Sequence, residues 1–120
     1  MGSKWIEHKG KKIVYLDFRE CKNEEQLIQV LADAQTLIQA QPEKVVTLSN
    51  YDGVSVTAGF LNRLKELGKQ AVQTGRIQKL AVLGITELKS VLVQGYLNAT
   101  GQKNTRTFTS EAEALDWLVE

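Results

Sequence analysis

The stretch VVTLSNYDGVSVTAGFLNRLKEL, residues 45–67, decides the fold. Val45-Val46-Thr47-Leu48 is an apolar, β-branched run of strand length. The loop Ser49-Asn50-Tyr51-Asp52-Gly53 follows, rich in turn formers. A run of small residues, Val54-Ser55-Val56-Thr57-Ala58-Gly59, then opens onto leucines 61, 64 and 67 at helical spacing. A strand feeding a helix through such a turn aims hydroxyls and backbone N–H groups at one spot on the surface. The N–H groups of a helix's first turn have no partner inside the helix.

The same alternation extends in both directions. Trp5–His8 and Ile13–Phe18 flank Lys9-Gly10-Lys11-Lys12, two strands around a glycine-bearing turn. Both faces of the second strand are apolar, as an interior strand covered on each side requires. Asn23 with Gln26 three residues later forms a capping box. Leu27, Leu31, Ala34 and Ile38, flanked by Val30 and Leu37, then carry a helix that ends before Pro42. The next helix spans Thr57 to Thr74, with Leu61, Leu64, Leu67, Gly68 and Ala71 inward and Gly75 as its left-handed stop. Gly68 costs about 1 kcal/mol relative to alanine in mid-helix, which a close approach to the sheet would justify.

Leu80–Gly84 is a buried strand, and Thr86 caps a third helix with the stripe Leu88, Val91, Leu92, Gly95, Tyr96 and Ala99. Thr105–Phe108 alternates as a strand with one wet face. Ser110 and Glu113 open a last helix with Ala114, Leu115 and Leu118 inward. The expected fold is α/β: one domain over residues 1–120, ββαβαβαβα, a mostly parallel five-stranded sheet with helices packed on it.

Composition agrees. A chain of 120 residues buries a real core without disulfides or metal, and Cys21, the one cysteine, cannot form a bridge within the chain. A net charge of +1 offers no nucleic-acid surface, and Lys4, Lys9, Lys11 and Lys12 read as the wet rim of the hairpin. No run approaches the ~20 apolar residues of a membrane span, and Met1-Gly2-Ser3-Lys4 lacks a secretory core, so a cytoplasmic location is expected.

With this order in hand, the chain resembles the STAS domains of anti-sigma-factor antagonists, and more closely the SpoIIAA-like branch of the STAS/CRAL-TRIO superfamily. Element order carries the resemblance along nearly the whole chain. Val56-Thr57-Ala58-Gly59 occupies the position of the family's Asp-Ser-Ser-Gly turn. Leu80–Gly84, Phe108 and Ala114-Leu115-Asp116-Trp117-Leu118 are similar to the SpoIIAA-like pattern of a strand, a late Phe and a terminal Ala-x-x-Trp-Leu. In the antagonists the first Ser of that turn is phosphorylated by a partner kinase, and the resemblance implies that Thr57 holds this place. Val56 replaces the usual Asp, a departure from the phosphorylation pattern, while Gly59 is retained.

The candidate residues admit two readings. Thr57 or Ser55 either caps the helix, contributing ~1 kcal/mol, or carries a regulatory phosphate whose charge meets the positive helix end. Val54, Val56 and Phe60 either tuck beneath neighbouring helices or form an exposed patch or the mouth of an apolar cavity. His8 is the lone histidine and would need Asp17 or Cys21 as a companion for metal or nucleophilic chemistry. Asp17, Glu20 and Asp52 lack the adjacent acidic pair of a phospho-acceptor receiver. Trp5, Trp117 and Tyr96 read as packing residues without interleaved basic groups.

The function expected first is a non-enzymatic regulatory module. It binds a protein partner, kinase-like or anti-sigma-like, through Tyr51, Asp52, Gly53, Val54, Val56, Gly59 and Phe60, with phosphorylation at Thr57 or Ser55. The alternative, implied by the CRAL-TRIO relatives, is a lipid-like or other apolar small molecule held between sheet and helices, with Leu88, Leu92 and Tyr96 in the lining. No catalytic residues, metal or cofactor are expected.

Overall fold

A computed structural model describes residues 2–120, apart from the side chains of Glu87 and Leu88. In chain order the elements are β1 (Gly2–His8), β2 (Lys11–Asp17), α1 (Glu24–Gln39), β3 (Val45–Asn50), α2 (Ala58–Thr74), β4 (Ile77–Leu83), α3 (Glu87–Thr100), β5 (Thr105–Phe108) and α4 (Glu111–Leu118). The five strands lie side by side in sequence order; β1 runs antiparallel to β2 and the remaining pairs are parallel. The expected order of elements and the mostly parallel sheet are both present. Strand order that follows chain order makes every crossover step the same way. Crossovers of one hand then put α1, α2 and α3 on one face and leave the other to α4.

Local chemistry explains the boundaries. Lys9 and Gly10 both have positive φ, 51° and 81°, the requirement of a two-residue type I′ hairpin turn. The expected four-residue connection therefore shrinks to two, and Lys11 and Lys12 join β2. The Gln26 N–H donates to Asn23 Oδ1 at 2.9 Å, while Gln26 Oε1 accepts from the Lys22 N–H at 2.7 Å. β3 runs two residues further than expected: Ser49 and Asn50 pair with Val82 and Leu83 of β4.

The two faces of the sheet are filled differently. Beneath α4, Ile13, Tyr15, Val46, Leu48, Ala81, Leu83, Ala114 and Leu118 are all buried. Two polar groups there are paired: the Tyr15 hydroxyl donates to Glu111 Oε1 at 2.7 Å, and Asn50 Nδ2 donates to the Tyr15 oxygen at 3.0 Å. His8 Nε2 and Lys9 Nζ reach Asp116 Oδ1 at 2.7 and 3.1 Å, so the companion of His8 is an α4 carboxylate and not Asp17 or Cys21. Lys79 and Arg106 lie 5.1 and 5.2 Å from the Trp117 ring, which corrects the expectation that basic groups avoid the tryptophans. Lys12 likewise lies 5.7 Å from Trp5. Strand alternation brings these cations to the rings, where sequence spacing does not.

On the opposite face, α1 lies against β1 and β2, burying Leu27, Val30, Leu31 and Ala34. α2 is tied more to α1 and α3 than to any strand. Gly68 serves that tie: a Cβ there would lie 2.6 Å from the Tyr96 hydroxyl and 2.8 Å from Thr100 Cγ2. The close approach is thus to α3, not to the sheet. α3 also departs from its expected stripe. Leu92, Val93, Tyr96 and Thr100 face inward or half inward, while Gly95 and Ala99 are exposed and Val91 is 70% exposed. The side chain of Leu88 lies outside the described residues.

Candidate functional site

The loop after β3 is a packed plug. Phe18 stacks on Tyr51 with ring centroids 4.5 Å apart, and Phe60 meets both edge-on at 5.4 and 6.1 Å. Tyr51, Val54 and Phe60 are buried in the core cluster that includes Leu27 and Val82. Val54 and Phe60 are tucked under and form no exposed patch, while Val56 is half-buried and, with Phe60, borders an apolar space behind the loop. The reason is geometric: β3 carries its last buried residues to position 50, so the chain turns back over the sheet at Tyr51. Asp52, Gly53, Ser55 and Gly59 are exposed, and Val56 and Thr57 are half-buried.

Thr57 is the N-cap of α2; its oxygen accepts from the Phe60 N–H at 3.2 Å. Its hydroxyl donates to Glu24 Oε1 at 2.5 Å. α2 has no acidic residue in its own first turn, and α1 supplies one from across the cleft. The carboxylate sits at the positive end of α2 while belonging to the first turn of α1, a favourable place on both counts. Gly59 makes room for it, since a Cβ there would lie 2.3 Å from Glu24 Oε1.

Behind the plug, α2 and α3 stand off the sheet and leave a hollow. Its larger part has a volume of ≈ 450 Å³, within the range of small-molecule sites. A smaller part of ≈ 70 Å³ adjoins it, lined by Tyr51, Val56, Phe60, Ile85, Leu92 and Val93 among others. Ser49, Leu64, Leu80 and Tyr96 line both parts. The floor comes from adjacent strands: Leu16 and Thr47 border the larger part, Val82 and Thr105 the smaller, and Ser49 and Leu80 both, with Thr47 paired to Leu80 and Ser49 to Val82. The open rim of the larger part is polar, with Gln35, Gln39, Gln70, Thr74 and Arg76. Gln35 Nε2 and Gln70 Oε1 stand 3.5 Å apart across it.

The floor is unusual for a buried face. Thr47 is 1% exposed, yet its Oγ1 has no hydrogen-bond partner, and neither has the buried Oγ1 of Thr105. The Ser49 hydroxyl lies beside the Tyr51 phenol. Burial pushes the Tyr51 phenol up, as does the neighbouring Tyr96. Burial alone pushes Tyr96 up to about 12, so both stay neutral donors at ordinary pH. Lys89 lines the smaller part, its Nζ held by the carbonyls of Tyr51 and Gly84 at 3.0 and 3.1 Å.

Sequence reasoning located Val56, Phe60, Leu92 and Tyr96 near this hollow but missed its floor. The available signal was hydroxyl residues at inward positions of a fully buried strand: Thr47 and Ser49 share a face with Val45. Asp17 is not part of the site; it is held by Arg19 through two contacts of 2.9 Å.

No family model matches this chain, and neither the curated proteins nor the solved structures contain a significant match to it. Among the described residues no helix is long and apolar enough to cross a membrane.

Proposed function

We propose that this domain binds an apolar small molecule in the hollow between its sheet and the α2–α3 pair. The observation that carries the reading is the ≈ 450 Å³ space itself, floored by Leu16 and Leu80 and roofed by Leu64, Leu67 and Ala71. Folded interiors are close-packed, and a space of this size beneath a helix forfeits contacts that a simple core would make. A bound hydrophobe would restore those contacts. Its stabilisation of the domain would grow with its concentration.

Native mass spectrometry of protein purified from cells tests this. Retained apolar mass, released on unfolding, is expected. Ala71→Phe, which fills the larger part, should abolish retention and block an apolar fluorescent dye without loss of fold. A clean apo-protein that binds the dye no better than Ala71→Phe would sink the reading.

The chain is further proposed to be a SpoIIAA-like member of the STAS/CRAL-TRIO superfamily. Support comes from the element order and from the terminal helix, whose Trp117 packs on Phe108 with centroids 5.6 Å apart. A second reading, a phospho-regulated module for a protein partner, is favoured by one arrangement. Ser55 and Asp52 are exposed beside Thr57, and a phosphate on Thr57 would replace the proton that Glu24 now accepts. Two anions at one helix end repel, so phosphorylation would free the start of α2 from α1. Thr57→Glu should therefore lower stability and alter partner capture. Unchanged values for both would count against the switch.

A further inference from the structure

Resting on the small-molecule reading above, we infer that the ligand is a single-chain amphiphile with an anionic head, its tail in the larger part of the hollow and its head at the mouth beside Arg76. The lining of that part is segregated. Leucines 16, 31, 64, 67 and 80 surround the interior. Gln39, Thr74 and Arg76 belong to the polar rim, and they come from the ends of α1 and α2 and from the residue before β4. A space that is apolar within and polar at its opening suits a molecule divided the same way.

The charge of the lining is one-sided. Arg76 and Lys89 are its charged residues, and no Asp or Glu is among the described residues that border either part. Lys89 is already committed, its Nζ lying 3.0 and 3.1 Å from the Tyr51 and Gly84 carbonyls. Arg76 is half-buried and, among the described residues, forms no ion pair. The main chain holds it in place from both sides. The Arg76 carbonyl accepts from the Val45 N–H at 2.9 Å, and the preceding Gly75 N–H donates to the Ala71 carbonyl at 2.9 Å. Arg76 Nη1 donates to the Gln41 carbonyl. A guanidinium has five N–H donors, so that bond leaves most of the fork that pairs with a carboxylate or phosphate. Beside an apolar space such a pair is screened less than one in open water. α1 and α2 also end nearby without a basic residue in either last turn, and helix ends of that sign favour a cation. The two roles differ in what they ask of a ligand: helix ends use the charge of Arg76 whatever head group is present.

Four amphiphiles of one chain length, used below their micellar concentrations, separate these roles: decanoate, decyl phosphate, decanol and decyltrimethylammonium. Binding is measured by displacement of an apolar fluorescent dye from the wild type, Arg76→Gln and Arg76→Lys. The wild type is expected to bind the anions about ten-fold more tightly than decanol, and the cation more weakly. The tighter of the two anions tells a carboxylate head from a phosphate. Arg76→Gln keeps a donor for the Gln41 carbonyl without the charge, and should bring both anions down to the level of decanol. Arg76→Lys should restore part of the preference, and added salt should narrow it in the wild type. An anion preference that survives in Arg76→Gln overturns the proposal and leaves Arg76 to the helix ends. The wild-type series decides the head even where Arg76→Gln unfolds: equal binding of anions and decanol leaves the hollow as a purely apolar site. Dye binding with no displacement by any of the four also overturns the amphiphile. Failure of the dye itself to bind overturns the small-molecule reading along with it.

Discussion

β3 presents Val46 and Leu48 to one side of the sheet and Thr47 and Ser49 to the other, and the two sides of the molecule differ accordingly. Beneath α4 the large aliphatic pair meets Ile13, Ala81, Ala114 and Leu118, and the space closes. Every polar group named there has a partner, the Tyr15 hydroxyl with two. Beneath α2 the smaller hydroxyl pair cannot reach the helix, which leans on α1 and α3 instead, and the ≈ 450 Å³ hollow remains. A sheet face fills when its middle residues are large enough to meet the layer above. Otherwise the layer is held up by its neighbours.

That contrast can be broken most sharply by truncation. Leu48→Ala should cost about 3 kcal/mol or more in urea unfolding, since Leu48 is fully buried in a closed core. Leu64→Ala, on the wall of the hollow, should cost about 1 kcal/mol, because the removed atoms already face empty space on one side. Equal losses would mean that the hollow is packed in solution.

Gly84→Ala comes next. Gly84 sits at φ 81°, and a Cβ there would lie 2.3 Å from the Asp52 backbone nitrogen, so rigid main chain would have to move. A loss of about 2 kcal/mol is expected from the left-handed conformation alone. Gly59→Ala is the control: the obstructing atoms belong to the flexible end of Glu24, and gained helix propensity offsets the lost Thr57 bond. A similar loss at both glycines would refute the distinction.

Two conservative swaps then probe the polar groups of each face and should have opposite signs. Tyr15→Phe removes a hydroxyl that serves Asn50 and Glu111, and should cost about 1 kcal/mol. Thr47→Val removes an idle hydroxyl and should gain about 1 kcal/mol in ligand-free protein. Destabilisation by both would show that ordered water satisfies Thr47.

The smallest effect concerns acid. The Arg19 guanidinium holds the Asp17 carboxyl below its usual 3.8, and His8 and then Lys9 do the same for Asp116 at the rim of the α4 face. In the window below that value the unfolded chain binds more protons than the folded one. Stability contributed by these carboxylates is therefore present above it and lost as pH falls through the depressed folded values. Asp17→Asn should flatten the acid limb of a stability–pH curve. An unchanged limb would show that the Arg19 pair is loose in solution.

Much of this was legible in the chain. Asn23, Thr57, Thr86 and Ser110 cap the helices as their spacing implied, since a cap is a contact within four residues. The mostly parallel sheet followed from alternation, because a helix between two strands leaves few ways to connect them. Less legible was the α3 stripe. Its apolar residues ring the helix, so periodicity alone could not choose between Val91 and Val93. Val54, Val56 and Phe60 could be read as tucked under the helices or as a patch or cavity mouth, because an apolar loop has no period to say which way it faces.

Local interactions, then, are written in the order of residues: turns, caps, strand lengths and the alternation that makes a parallel sheet all depend on neighbours a few positions apart. How far α2 stands from the sheet, that Glu24 reaches Thr57 from another helix, and that Thr47 and Thr105 lie idle on either side of Leu80 depend on distant segments meeting. Such meetings are set by the summed volumes of side chains from several elements, a quantity no single stretch of chain contains.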